Sequence, residues 1–294
     1  MISRVVKSHI YDMSIWGEQD VSSGKAAKDE NFPVGSLLIS RRLRPHVQAY
    51  YDFARVVDDI ADSETLSAEE KIKRLDGMEA VLCENVPAPD RPDVLSARYL
   101  RNSFLETGIS FDTATDLLIA FRQDAKKKRY NTLDELMYYC RYSANPVGHF
   151  LLDLHQEKPD TRPASDALCT SLQILNHLQD CKTDLIKLDR CYIPLDMMHA
   201  QGVQVNDLLA EQTSHGLRNV FDRLLDHVDA LNREAMYLPR LTVNRRLRLE
   251  AAVIVYLAYS LTKRLRMGDP LATKVKLTKF DVIASALKAF RHFM

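Results

Sequence analysis

Apolar residues recur every three or four positions along almost the whole chain, the spacing of one face of an α-helix, and no run alternates convincingly in the two-residue rhythm of a strand. The pattern predicts helices over roughly 35–62, 67–83, 93–106, 112–127, 132–155, 165–187, 206–211, 215–236, 242–266 and 278–292. Ser67-Ala68-Glu69-Glu70 and Thr132-Leu133-Asp134-Glu135 have the form of capping boxes, in which a hydroxyl and a carboxylate satisfy the first free amides of a helix. Breaks fall at Asn85-Val86-Pro87-Ala88-Pro89, at Thr107-Gly108, between Pro159 and Pro163, and at Gly268-Asp269-Pro270. No internal repeat, low-complexity segment or long biased linker divides the chain. The expectation is a single all-α domain over residues 1–294.

Two of these helices carry matching polar stripes. At about 100° per residue, Tyr51, Arg55, Asp58 and Asp62 fall within an arc of roughly 60°. Gln173, Asn176, Asp180 and Asp184 share an arc of roughly 80°. Each stripe lies opposite the apolar residues of its own helix, so either one alone reads as a solvated face. Two details weigh against that. Like charges at i,i+4 destabilise an isolated helix, and surface faces usually set a cation at that offset. Gln, Asn and Asp are also mediocre helix formers but good oxygen ligands.

Carboxylate pairs on two helices suit magnesium–diphosphate chemistry, because Mg²⁺ is usually held by one or two carboxylates together with waters and substrate phosphate. Metal ions on both sides of a diphosphate would stabilise it as a leaving group. An apolar, aromatic wall nearby would let an allylic substrate ionise to a carbocation away from bulk water. A third segment, Tyr138 to Gly148, lies inside a helical pattern but contains Pro146, which cannot donate to the carbonyl of Tyr142 and is expected to kink the helix. Its small residues Ser143, Ala144 and Gly148 would let a substrate chain pass close to the backbone; a plain helix break at a loop is the other reading.

Composition narrows the chemistry. Hydrophobic residues make up 46% of the 294 and charged ones 27%, which excludes a disordered or collagen-like chain. Forty Lys and Arg balance 40 Asp and Glu, so nothing in the net charge calls for nucleic acid. The nine glycines, at 17, 24, 35, 77, 108, 148, 202, 216 and 268, are too far apart to write a dinucleotide fingerprint or a P-loop. Phosphate must therefore be met by side chains or metal. Five cysteines without a C-x-x-C read as reduced, buried thiols of an intracellular protein. Residues 1–20 lack a signal-peptide core, and the longest run free of strongly polar residues, Ala251 to Leu261, is too short to span a bilayer.

Three motifs in order, Tyr51-x-x-x-Arg55-x-x-Asp58-Asp59-x-x-Asp62, Tyr139-Cys140-x-x-x-Ala144-x-x-Val147-Gly148 and Gln173-x-x-Asn176-x-x-x-Asp180-x-x-x-Asp184, resemble the squalene/phytoene synthase family of head-to-head prenyl synthases. The resemblance covers about residues 25–290 and implies an all-α, isoprenoid-synthase-type bundle around a central cavity. It implies that Asp58, Asp62, Asp180 and Asp184 bind Mg²⁺–diphosphate, that Asn176 assists with Gln173 close by, and that Arg55 touches phosphate. Tyr51, Tyr139 and Tyr256 would line the reaction cavity as catalytic residues, and Lys28 stands where the family often has a basic phosphate ligand.

Departures from the wider family narrow the branch. The N-terminal signature reads Glu30-Asn31-Phe32-Pro33-Val34-Gly35-Ser36, Asn145-Pro146 replaces a usual glycine and its neighbour, and Gln179 replaces an arginine that often precedes the second aspartate motif. Together these resemble the hydroxysqualene synthase branch of bacterial hopanoid biosynthesis. That implies a Mg²⁺-dependent carbon–oxygen lyase that ionises presqualene diphosphate and quenches the rearranged cation with water. The alternative on the same fold is a prenyl transferase joining two farnesyl diphosphates to presqualene diphosphate or a dehydrosqualene- or phytoene-type product. A non-catalytic scaffold is a third reading, opposed by the four intact aspartates.

The implied setting is cytoplasmic, with a prenyl diphosphate as partner and neighbouring pathway enzymes as candidate associates. Residues 263–294 carry eight Lys or Arg against two Asp, a net of +6, and 279–293 has the pattern of a basic amphipathic helix. Peripheral contact with the inner membrane face and plain solvent exposure are both open for it. Lys126-Lys127-Lys128-Arg129 reads as the solvated, cationic end of the helix before it.

Overall fold

The computed structural model describes residues 13–17 and 39–293. They are all-α: no strand occurs, and Arg129 and Cys191 form an isolated parallel bridge. Backbone contacts gather into two compact units. One holds 13–17 and Pro45–Lys126; the other holds 39–44 and 127–293.

The first unit contains α1 (Arg44–Asp62, whose first residue belongs to the other unit), α2 (Ala68–Glu84), α3 (Pro92–Thr107) and α4 (Asp112–Asp124). The capping box at Ser67 forms on both sides: its hydroxyl accepts from Glu70 N, and Glu70 accepts from Ser67 N at 2.8 Å. Gly108 ends α3 at φ 73°, a conformation that favours glycine. Helix α1 buries Phe53, Val57 and Ile60. Tyr50 fixes it by donating to Thr113 O at 2.7 Å, so the stripe opposite is held in place by its own helix's packing.

The second unit contains α5 (Leu133–Ser143), α6 (Asn145–Leu154), α7 (Arg162–Leu188), α8 (Leu195–His199), α9 (His215–Ala235), α10 (Leu238–Leu241), α11 (Arg245–Met267) and α12 (Lys279–Phe293). The run expected as one helix over 132–155 is broken at Ala144, φ −124° and ψ −46°, and restarts with Pro146 in its first turn. Proline is tolerated there, where no amide partner exists to lose. Gly148 serves helix packing: Cys169 Sγ lies 2.8 Å from where a Cβ would stand, and Ser165 Oγ is closer still, so α6 meets α7 at close range. The run expected over 206–211 is a 3₁₀ turn, Val205–Leu209.

Helix α7 packs against α6, α9 and α11. A buried polar chain crosses these layers, with Ser171 Oγ donating to Asn232 Oδ1 at 2.6 Å and Asn232 Nδ2 donating to Thr262 Oγ1 at 3.1 Å. Buried polar groups are tolerable when paired in this way, and they fix the register of the helices that carry them.

The cationic run at 126–129 is a solvated end only at Lys126, which is exposed; the other three are bound. Lys128 Nζ donates to Leu188 O at 2.9 Å, and Arg129 Nη2 meets Asp189 Oδ1 at 2.6 Å. These cations meet the C-terminal carbonyl end of α7, where the helix dipole favours positive charge. Lys127 pairs with Glu135 at 2.7 Å. Glu135 in turn accepts from the backbone of Asn131, not from the cap residue Thr132, so the second capping box is half formed. These bonds to Lys127 and Asn131 hold the Glu135 carboxyl down at about 2.

Candidate active site

The first carboxylate set stands on the last turns of α1. Tyr51, Arg55, Asp58 and Asp62 are all half-buried, and Asp59 beside them is buried. Arg55 sits between two carboxylates, with Nη1 at 3.1 Å from Asp58 and Nη2 at 3.1 Å from Asp59. Desolvation and the negative charges of Asp62, Asp59 and Asp124 push the Asp58 carboxyl well above the usual carboxylate range, and Arg55 opposes that only in part. The site is rich in negative charge. A bound cation would relieve this excess, and the donors are all hard oxygens.

The second set stands on α7. Gln173, Asn176, Asp180 and Asp184 are half-buried along one side, while Ile174, Leu175 and Leu178 are buried on the other. Lys274 Nζ lies 3.1 Å from Asp180 Oδ1. Gln179, buried, donates to Val275 O at 2.6 Å, and Lys182 donates to Ala210 O at 2.8 Å and Leu271 O at 3.3 Å. Segment 268–278 is thereby fastened along α7 beside the carboxylate pair. Gln179 acts here as a backbone anchor. No group of three or more His, Cys, Asp or Glu among the described residues is arranged to hold a metal ion. Neither pair is a closed cage. Pairs of this kind suit Mg²⁺, which keeps waters and takes substrate phosphate as further ligands.

Tyr139 is buried in an aromatic cluster. Its ring lies 5.4 Å from Tyr130 and 5.2 Å from Tyr192, and its hydroxyl is 3.4 Å from that of Tyr192. His177, one position after Asn176, stacks on Tyr192 at 3.7 Å. Burial, with the Arg190 guanidinium nearby, pushes the imidazole down to about 3, so it is neutral near pH 7. Tyr256 stands on α11 with Lys288 Nζ 5.9 Å from its ring centre, and burial pushes its phenol up. Asn145 is buried and accepts from Thr170 Oγ1 at 3.1 Å, tying α6 to α7. The cysteines are free thiols; Cys140, Cys181 and Cys191 are buried, whereas Cys83 and Cys169, expected buried, are half-buried. Burial pushes Cys169 and Cys181 up to about 12 and Cys191 up to about 11, which disfavours the thiolate form.

The two aspartate motifs therefore each keep their polar residues on one helix face, whereas the Tyr139–Gly148 motif is divided between α5 and α6 by the break at Ala144. Lys28 and the Glu30–Ser36 signature lie outside the described residues. Sequence reasoning gave no role to Asp59, though it stands in the first motif, and missed Lys274, His177 and Tyr192. Lys274 and Tyr192 sit far along the chain from the residues they touch, and only the +6 excess of the last 32 residues hinted at the first.

The chain is also similar to known proteins. The squalene/phytoene synthase family model matches residues 25–281. A hydroxysqualene synthase of Rhodopseudomonas palustris is 40% identical over 270 residues, covering 92% of this chain and 91% of the relative. A hydroxysqualene synthase of Zymomonas mobilis is 40% identical over 270 residues, covering 91% and 89%. Among solved structures, squalene synthase HpnC from Alicyclobacillus acidocaldarius aligns with a TM-score of 0.71 and 28% identity, covering 84% of this chain and 90% of that one. A dehydrosqualene synthase solved with a ligand aligns at 0.73 and 22% identity, covering 90% and 92%, a likeness of fold.

Proposed function

We propose, for a chain that belongs to the squalene/phytoene synthase family and is an enzyme of that kind, that it converts presqualene diphosphate and water to hydroxysqualene, diphosphate and a proton. The observation that carries this reading is a half-buried carboxylate pair on each of α1 and α7, in a chain 40% identical to hydroxysqualene synthases over nine-tenths of its length.

Asp58 and Asp62, and Asp180 and Asp184, would hold magnesium. Bound Mg²⁺ would supply the positive charge that stabilises the departing diphosphate. Arg55, already between Asp58 and Asp59, would offer its guanidinium to phosphate oxygens, and Asn176 and Gln173 would add neutral polar groups beside the second pair. Departure of the diphosphate breaks a carbon–oxygen bond and leaves a carbocation. Tyrosine faces, Tyr139 foremost, would stabilise that charge through their π-systems. The neutral His177 adds no positive charge beside the Tyr139 cluster, whereas an imidazolium there would oppose the cation. Addition of water to the rearranged cation, followed by loss of a proton, completes the reaction.

Diphosphate release tests this directly. Chelator-treated protein should release none from presqualene diphosphate, and added Mg²⁺ should restore release. Release from farnesyl diphosphate alone, with none from presqualene diphosphate, would replace this reading with head-to-head condensation.

A further inference from the structure

Helix α12 turns Ser285 and Ala289 inward, with exposures of 2% and 0%. At about 100° per residue, the opposite side carries Phe280, Ile283, Leu287 and Phe290 within an arc of roughly 80°. Their exposures are 80%, 58%, 67% and 61%. Single exposed apolar side chains are ordinary on protein surfaces, but a row of four large ones marks an interaction site. Cations border the row on both edges: Arg291 on one, Lys279 on the other, both exposed.

The one acid of the helix, Asp281, is drawn away from this face. Arg264 Nε on α11 donates to it at 2.7 Å, and Thr278 donates from its backbone at 2.7 Å and its hydroxyl at 2.6 Å. Nor is the helix a loose tail, since it packs along α11 and segment 268–278 is fastened to α7 by Gln179 and Lys182.

We propose that α12 is an interfacial docking helix for an anionic lipid surface. The Phe280–Phe290 row enters the boundary between headgroups and acyl chains, while Lys279 and Arg291 meet anionic headgroups. Charge complementarity selects this occupant. A second copy docked through the same face would bring like cations together, whereas an acidic bilayer satisfies the apolar row and both cationic edges. No described helix is long and apolar enough to cross a membrane, so this contact is made from the surface. The inference rests on exposure and charge alone, independent of the reaction proposed above.

Flotation of the full chain with phosphatidylcholine vesicles, with and without phosphatidylglycerol, tests it. The wild-type protein should float with the phosphatidylglycerol vesicles, and less so at high salt. Phe280→Gln with Leu287→Gln should lower the partition coefficient by about tenfold or more. Because both side chains are exposed, thermal unfolding should not change. Lys279→Gln with Arg291→Gln, which alters no buried packing, should remove the preference for phosphatidylglycerol. Absence of wild-type flotation, or equal flotation of wild type and the apolar-row variant, would overturn the proposal. A wild-type dimer that the same variant converts to monomer, without lipid binding, would assign the row to a second copy instead.

Discussion

Lys274 Nζ lies 3.1 Å from Asp180 Oδ1, so a carboxylate of the second aspartate pair is already neutralised by a side chain 94 positions further along the chain. The lysine is 53% exposed and the aspartate 30%. An ion pair so open to solvent contributes at most about 1 kcal/mol. Its consequence is competition, because a divalent cation binding at Asp180 must displace or share this ammonium. Lys274→Met should therefore tighten Mg²⁺ binding to the substrate-free protein by about two- to fivefold. Calorimetric titration with Mg²⁺ checks this, and unchanged or weaker binding would show that the lysine does not compete.

Asp58 and Asp180 are expected to be indispensable for turnover and dispensable for folding. Replacing either with Asn should lower the rate at least about a hundredfold, since each would remove a metal ligand. Asp58→Asn should leave thermal unfolding unchanged or raise it by about 2 °C, because the substitution removes a charge crowded by Asp62, Asp59 and Asp124. Rate measurements beside unfolding scans separate the two effects. Activity surviving both substitutions would end the metal assignment.

His177 predicts the direction of part of the pH dependence of stability. Its imidazole stays neutral down to about 3 when folded, against an ordinary value near 6.5, so in that window the unfolded chain binds a proton that the folded chain refuses. Stability must fall as pH drops from about 6.5 toward 3, by up to about 1.4 kcal/mol per pH unit from this group. Urea unfolding at pH 5 and pH 7 should show the loss. His177→Phe, which keeps an aromatic ring beside Tyr192, should make the difference smaller.

Gln179→Ala should loosen the segment beside the second pair. It removes a buried 2.6 Å bond to Val275 O, and the cost is about 1 kcal/mol. Amide exchange over 271–278 should quicken while exchange along the buried face of α7 stays slow. Equal exchange in the two proteins would mean that other contacts hold the segment.

What the chain showed in advance depended on distance along it. The four aspartates, Arg55, Gln173 and Asn176 were legible because i,i+3 and i,i+4 spacing is local and a helix turns it into one face. The break at Ala144 followed from Pro146, and the capping box at Ser67 from four adjacent residues, for the same reason. The pairing of Lys274 with Asp180 carries no period and no local signal, and neither does the capping of α7 by Lys128 and Arg129. Glu135 shows the limit even at short range. A carboxylate in capping position accepted from Asn131 and Lys127 instead of from Thr132, because those donors lay within its reach. The outward row on α12 was half legible: its basic character stood in the composition, but which residues stay uncovered was decided by α11.

In the proposed reaction the product's oxygen comes from water. Purified protein with Mg²⁺ and presqualene diphosphate in water enriched in heavy oxygen should give hydroxysqualene carrying the heavy atom on its hydroxyl-bearing carbon, as mass spectrometry of the extracted product would show. A hydrocarbon product without oxygen, or a hydroxyl bearing only light oxygen, would contradict it.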